Sequence, residues 1–211
     1  MTNIGQTRSS HWLALVAGTW IVALVVSGVA AFDRLIWLLE VTPVLIALPV
    51  LLFTGSRFPL SGLVYALILA HGLILILGGT YTYARVPLGL WVEQWLALSR
   101  NPYDKLGHFA QGFVPAMIAR EVLLRRFGLP RGRLVAFLAI SVCGLITASY
   151  EIVEWWVSVA GGATTEDFLG TQGDPWDTQS DMLFAIVGAS VATLLLPAAH
   201  DRSMARVKQR P

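Results

Sequence analysis

The stretch WLALVAGTWIVALVVSGVAA, residues 12–31, decides the class of fold because it runs its whole length without a charged side chain. A helix needs roughly 20 mostly apolar residues to cross the hydrocarbon core of a bilayer. Five further stretches of this kind follow, at about 35–54, 60–79, 106–124, 134–157 and 181–199. The short alternating segments of a membrane barrel do not occur. We therefore predict an all-α polytopic membrane protein, a bundle of six transmembrane helices.

The composition of the 211 residues supports the same class of protein. Hydrophobic residues make up 55% and charged residues 13%, and the mean hydropathy is +0.65. A soluble domain carries roughly a quarter charged residues, so this composition excludes a soluble globular protein, a disordered chain and a nucleic-acid binder. The single Cys143 excludes an internal disulfide and a zinc site built on cysteines.

Lysine and arginine near the ends of the spans predict the orientation of the chain. Four of the fifteen cations belong to one side, namely Arg34, Arg85, Arg100 and Lys105, and the other eleven fall on the side of both termini. Because cytoplasmic loops are enriched in Lys and Arg, we expect both termini in the cytoplasm. The predicted location is the bacterial inner (plasma) membrane, with residues 1–211 forming a single multi-pass domain whose first span is retained.

The outer side is rich in acids and aromatic residues. Eleven of the thirteen acidic side chains lie outside or in the outer part of a span, which makes the outer mouth attractive to cations. Residues 88–98 are too short to span and predict an interfacial helix on this surface. An outer loop is expected at about 158–180.

Three polar segments of the fourth, fifth and sixth spans carry the candidate site. Their polar side chains are costly in hydrocarbon unless they are paired or face water, and all three segments map to the outer leaflet. We expect them to meet in one polar cavity. The candidate catalytic residues are His108, Glu151 and Glu154. The candidate substrate-binding residues are Lys105, Gln111, Gln172 and Trp176. The candidate metal ligands are Asp104, Asp177 and Asp181.

Several of these residues also have a purely structural explanation, which does not extend to Asp181. Asp104 complements the dipole of a helix that starts at Asn101-Pro102, and Asp177 suits a helix N-cap. Glu151 and Glu154 lie on one helical face and would serve either as a proton donor and acceptor or as a pair that ties helices together. The cofactor is unknown: a divalent cation is possible, since imidazole with carboxylates suits Mn²⁺, Zn²⁺ or Fe²⁺, and carboxylates alone suit Mg²⁺ or Ca²⁺.

The segments DKLGHFAQGFVPAMIARE (104–121), ASYEIVEWW (148–156) and FLGTQGDPWDTQSDM (168–182) resemble the YjdF family of uncharacterised bacterial inner-membrane proteins. The layout is also similar to VanZ-like membrane proteins, which are linked to glycopeptide resistance. The positions that match the VanZ-like pattern are Asp104, Lys105, His108, Glu151, Asp181 and Gly188, whereas Glu154 and Ala185 depart from it. The resemblance implies a location and an architecture but no settled activity.

Three functions fit these features. The first is an enzyme that modifies a lipid or an envelope precursor at the outer leaflet. The second is a non-catalytic envelope or lipid-binding factor, and the third is an ion- or proton-coupled transporter. The expected partners are the lipid bilayer and a lipid headgroup or envelope precursor, with no nucleic acid. The substrate, the reaction and the oligomeric state are left open.

Overall fold

The computed structural model describes residues 4–162, 168 and 170–207, with side chains from Ser9 onward. Within these residues the chain forms eight α-helices and no strand, which confirms the all-α class. The helices are α1 (Ile4–Ala30), α2 (Arg34–Thr54), α3 (Gly62–Tyr81), α4 (Pro87–Leu96), α5 (Tyr103–Arg125), α6 (Arg133–Gly161), α7 (Asp177–Leu195) and α8 (Pro197–Met204).

Five of the helices are long and apolar enough to cross a membrane: α1, α2, α3, α6 and α7. Their apolar side chains face outward in large numbers, as lipid-facing helices require. The fifth helix, α5, has 23 residues and is therefore about 34 Å long, but charged residues at both of its ends lower its hydropathy. The structure thus supports a polytopic helical membrane protein, and the sixth span stays a prediction.

Several of the observed helices begin or end at residues other than the predicted span limits. The last predicted span, 181–199, is divided at Leu196, because Pro197 has no N–H to continue the hydrogen-bond ladder and opens α8 instead. The helix α6 continues past residue 157 to Gly161, and α1 begins at Ile4 rather than at residue 12. The predicted loop 158–180 is described only in part, since 163–167 and 169 lie outside the described residues.

Helix α5 is the central helix of the bundle and packs against α7, α6 and α3. Its buried residues include charged ones, Arg120 and Glu121 near one end and His108 near the other. A helix surrounded by other helices is not in contact with lipid on these faces, so its polar side chains can be paired within the protein. This position explains why α5 is the most polar of the long helices.

At one end of α5 a buried ionic network fixes α8. The Glu121 carboxylate is fully buried, accepts a 2.8 Å hydrogen bond from the backbone N–H of Ser61, and lies 2.9 Å from the His200 ring. It is also ion-paired with Arg125. The Arg120 guanidinium lies 2.8 Å from Asp201. Partial burial alone would raise the pKa of Asp201, but Arg120 and then Arg131 hold it below its usual range.

Helices α5 and α7 touch through their backbones at two glycines. A Cβ atom at Gly112 would lie 1.7 Å from the carbonyl oxygen of Ala185, and one at Gly188 would lie 2.1 Å from the carbonyl oxygen of Phe109. Small residues at such crossings let membrane helices approach closely. The close approach matters for function because α5 and α7 carry most of the ion pairs described below.

We predict that Gly112→Ala destabilises the protein, because the added methyl group must push α7 away from α5. Forced overpacking of this kind costs about 1–3 kcal/mol. The measurement is thermal unfolding of the purified protein in detergent, followed by tryptophan fluorescence. Gly144→Ala is the matched control, since a Cβ atom there meets nothing within 4 Å. Equal unfolding temperatures for the two variants would contradict the backbone contact.

Candidate functional site

The first turn of α5 is held in place by the side chain of Asn101, which is 1% exposed. Its Oδ1 accepts a 3.0 Å hydrogen bond from the backbone N–H of Tyr103, and its Nδ2 donates to the carbonyl oxygens of Ala84 and Val86. The Gln172 side chain forms two hydrogen bonds with the Asn101 backbone: it accepts one from the N–H at 3.1 Å and donates one to the carbonyl oxygen at 3.2 Å. These bonds fix the start of α5 against the segment that precedes α7.

Two cations join the beginnings of α5 and α7. The Lys105 ammonium lies 2.6 Å from Asp177 Oδ1 and 2.7 Å from Asp181 Oδ1. The Arg100 guanidinium lies 2.5 Å from Asp177 Oδ1 and 3.4 Å from both Asp104 and Asp174. Arg100 and Lys105 are each only 14% exposed at the side chain, so the ion pairs are mostly shielded from water. We refer to these two cations and four aspartates as the α5–α7 ion cluster.

His108 lies one turn below this cluster, between three carboxylates. Its Nε2 is 3.4 Å from Asp104 Oδ1 and 3.8 Å from Asp181 Oδ1, and its Nδ1 is 3.8 Å from Glu151 Oε1. Within the described residues, His108 Nδ1 and Glu151 Oε1 are both buried without a hydrogen-bond partner. A small shift would bring these two atoms into hydrogen-bond distance, as an acid and a base that exchange a proton require.

A cavity of about 340 Å³ opens beside His108 and continues along α5 between α2, α3 and α6. At one end its wall is polar. The polar side chains of the lining are Glu40, His71, Tyr83, Asp104, His108, Gln111, Tyr150, Glu154 and Asp181. The other end is apolar. Its lining comprises Val50, Leu51, Leu60, Ile68, Val114 and Ile118. The cavity is therefore complementary to an amphipathic ligand, whose polar and apolar parts would lie against the polar and apolar ends of the wall.

Comparison with known proteins agrees with this architecture. Residues 12–202 match the model of a family described as predicted membrane protein (DUF2238). The chain is 52% identical to the inner membrane protein YjdF of Escherichia coli (strain K12) over 183 residues, which cover 87% of this chain and 88% of that protein. The chain belongs to the DUF2238 family of predicted membrane proteins. No solved structure matches it.

The family assignment confirms the resemblance to YjdF, while the VanZ-like layout stays a prediction. Membership in the DUF2238 family and the five apolar helices together establish a membrane protein. The relative from Escherichia coli is an inner-membrane protein by name. Neither finding assigns an activity to the site.

The structure brings most of the predicted site residues together. The ones that lie in or directly beside the α5–α7 ion cluster are Asp104, Lys105, His108, Glu151, Asp177 and Asp181. Glu154 and Gln111 line the cavity next to them. Two predicted substrate-binding residues lie elsewhere. Gln172 bonds the Asn101 backbone, and the Trp176 side chain is 68% exposed and outside the cavity lining.

The predicted metal ligands are arranged differently from the expectation. One ligand atom from each of Asp104, His108 and Asp181 lies within 4.8 Å of the others, a spacing that can hold an ion. Asp177, which the sequence placed in this set, is instead paired with both Arg100 and Lys105. A donor set of one imidazole and two carboxylates fits Mn²⁺, Zn²⁺ or Fe²⁺ better than Ca²⁺.

Sequence reasoning did not single out Arg100 or Tyr83. Arg100 is one of only four outer cations and directly precedes Asn101-Pro102, which is the signal that could have identified it. Tyr83 lines the cavity from the turn after α3, and burial raises its pKa well above the usual value, so the phenol stays protonated. Tyr83 has a φ of +48° and lies outside any helix. The spacing of apolar residues along a helix therefore could not have predicted the position of its ring.

We predict that Arg100→Gln destabilises the protein by about 3 kcal/mol, because the loss of one partner leaves buried carboxylates without compensation. The expected result is a lower unfolding temperature in detergent at neutral pH. Arg34→Gln is the control, since Arg34 is exposed at the start of α2. If both variants unfold at the same temperature as the wild type, the α5–α7 ion cluster does not hold the two helices together.

Proposed function

We propose that this protein binds an amphipathic lipid or lipid-linked envelope precursor and modifies its head group by acid–base catalysis. The observation that carries the proposal is the continuity of the cavity, which joins the His108 side chain to an apolar wall that ends at Ile118 and Leu60. An acyl or polyprenyl chain would occupy the apolar part, and the head group would then lie against His108. Pockets that place a few polar groups on a mostly apolar wall are typical of ligand sites.

We also propose that α5 is the sixth transmembrane helix and that both termini lie in the cytoplasm. The length of α5 is sufficient, and its polar residues are enclosed by α7, α6 and α3 rather than exposed to lipid. Arg120, Arg125 and Arg131 lie at the end of the bundle that carries α8, in accord with an excess of cations on the cytoplasmic side. In this orientation the polar end of the cavity opens toward the outer leaflet.

In this proposal His108 and Glu151 exchange the proton that the reaction requires. Asp104 orients the ring through Nε2, which leaves Nδ1 directed toward Glu151. Glu154 faces the cavity and would contact the head group. The sequence suggested Lys105 for binding an anionic head group, but Lys105 is paired with Asp177 and Asp181. In this proposal it holds α7 in position and does not contact the ligand.

A divalent cation would bind through Asp104, His108 and Asp181 if it takes part. It would have to displace the Lys105 ammonium from Asp181, since that pair is only 2.7 Å apart. The ion would polarise an oxygen of the head group.

The second candidate function is non-catalytic binding of the same class of lipid. It is favoured by the extent of internal pairing, since both Arg100 and Lys105 are used to join α5 to α7. Ion transport is less well supported, because the far end of the cavity is lined by aliphatic side chains such as Leu51 and Val114, which offer an ion no ligand.

We predict that Ala47→Phe removes the bound lipid, because Ala47 lines the apolar part of the cavity and a phenyl ring would fill it. The measurement is mass spectrometry of the lipids retained by mildly purified protein, per mole of protein. Ile46→Phe is the control, since the neighbouring Ile46 is 60% exposed on the outer surface of α2. Retention of the same lipid by Ala47→Phe would show that the chain does not occupy the cavity.

We predict that His108→Gln and Glu151→Gln keep the bound lipid but lose its modification, by about a hundredfold or more, as expected for removal of a general acid or base. The measurement is envelope lipid composition in a strain that lacks the protein and carries each variant. Glu93→Gln, in α4 and outside the cavity lining, is the control. Wild-type composition with both the His108 and the Glu151 variant would favour the non-catalytic function.

A further inference from the structure

The polar end of the cavity contains an excess of carboxyl groups over cations. Six carboxyl groups line the cavity or belong to the α5–α7 ion cluster beside it, namely Glu40, Asp104, Glu154, Asp174, Asp177 and Asp181, and Glu151 adds a seventh next to His108. Within the described residues, the permanent cations beside them are Arg100 and Lys105. Both are already paired with aspartates at 2.5–2.7 Å. Among the described residues, carboxyl groups near the cavity therefore outnumber the permanent cations that could pair with a ligand's negative charge.

Two of these carboxyl groups, Glu40 of α2 and Glu154 of α6, are unlike the others. They are 6% and 7% exposed, they line the cavity from two sides of it, and they influence each other electrostatically. Among the described residues neither has a hydrogen-bond or ion-pair partner, whereas every aspartate of the α5–α7 ion cluster has at least one. Burial of an unpaired carboxylate is costly, so an external cation bound beside either residue would stabilise its charged form.

We infer that the ligand carries an amine at its polar end, and that the ammonium group binds between Glu40 and Glu154. This inference rests on the proposed function and names the class of ligand: a long-chain amphiphile with a cationic nitrogen. Ammonium donates up to three hydrogen bonds, which carboxylates from two different helices around one cavity can accept. The Tyr83 and Tyr150 rings also line this part of the cavity, and aromatic faces attract a cation.

The same observations disfavour a head group with net negative charge. A phosphate placed beside Glu40 and Glu154 would be repelled at short range in a medium of low dielectric constant. Lys105 and Arg100 could compensate a phosphate only by leaving Asp177, which is 5% exposed at the side chain and would then lose both of its partners.

The shape of the cavity limits the apolar part of the ligand. The lining extends along α5 from Asp104 to Ile118, fourteen residues or about 21 Å. With a volume of about 340 Å³, such a length leaves room for a single extended chain rather than two. A single alkyl chain with a terminal amine is therefore the simplest probe of the site.

The experiment compares three probes that share one chain and differ only in the head: dodecylamine, dodecanol and dodecyl phosphate. Binding to the purified full-length protein in detergent is measured by isothermal titration calorimetry at neutral pH, and native mass spectrometry gives the stoichiometry. We expect one dodecylamine per chain, bound at least about tenfold more tightly than either other probe, because a charge-assisted hydrogen bond contributes roughly 1.5–3 kcal/mol.

Glu40→Gln and Glu154→Gln should each weaken dodecylamine binding by about tenfold or more and leave dodecanol binding unchanged. The control is Glu93→Gln, which should bind dodecylamine like the wild type. Equal affinity of the wild type for dodecylamine and dodecanol would overturn the inference without any variant. If Ala47→Phe still blocks both, the lipid-binding function stands and only the amine is wrong, whereas binding of none of the probes would overturn the function as well.

Discussion

The site depends on the pairing of Lys105 and Arg100 with Asp177. This carboxylate lies at the start of α7, and the two cations lie at the start of α5 and just before it. Because all three groups are mostly withdrawn from water, removing any one of them leaves the others uncompensated. The ion pairs act together with the glycine contacts at Gly112 and Gly188, which bring the two helix backbones together farther along the bundle. The position of His108 follows from this arrangement.

Each end of the central helix α5 is thus fixed by charges, and the middle is fixed by close packing. At one end Lys105 of α5, together with the preceding Arg100, binds acids of α7. At the other end Glu121 and Arg120 contact His200 and Asp201 of α8. The apolar wall of the cavity lies between these two fixed ends. Because both ends of α5 are fixed, a ligand-sized space can lie beside the helix without displacing it. The groups that stabilise the protein are also separate from the groups that face the cavity.

The division of the acidic residues follows the same logic. The aspartates at the mouth are engaged by cations, whereas Glu40 and Glu154 face the cavity without a partner within the described part of the chain. Glu151 lies between the two groups, next to His108. The glutamates would therefore contact the ligand and determine which head group binds, while the aspartates maintain the geometry around the imidazole ring.

The sequence by itself determined the class of fold, the number of long helices and the three polar segments that meet, because hydrocarbon strongly disfavours unpaired charge and each helix repeats every 3.6 residues. Only the tertiary structure decided which acids are neutralised. Asp177 pairs with Arg100 and Lys105, Gln172 bonds Asn101, Trp176 is exposed, and Glu40 joins the cavity. Periodicity places a side chain on a face of its own helix, but its partner depends on how neighbouring helices are rotated and how closely they approach.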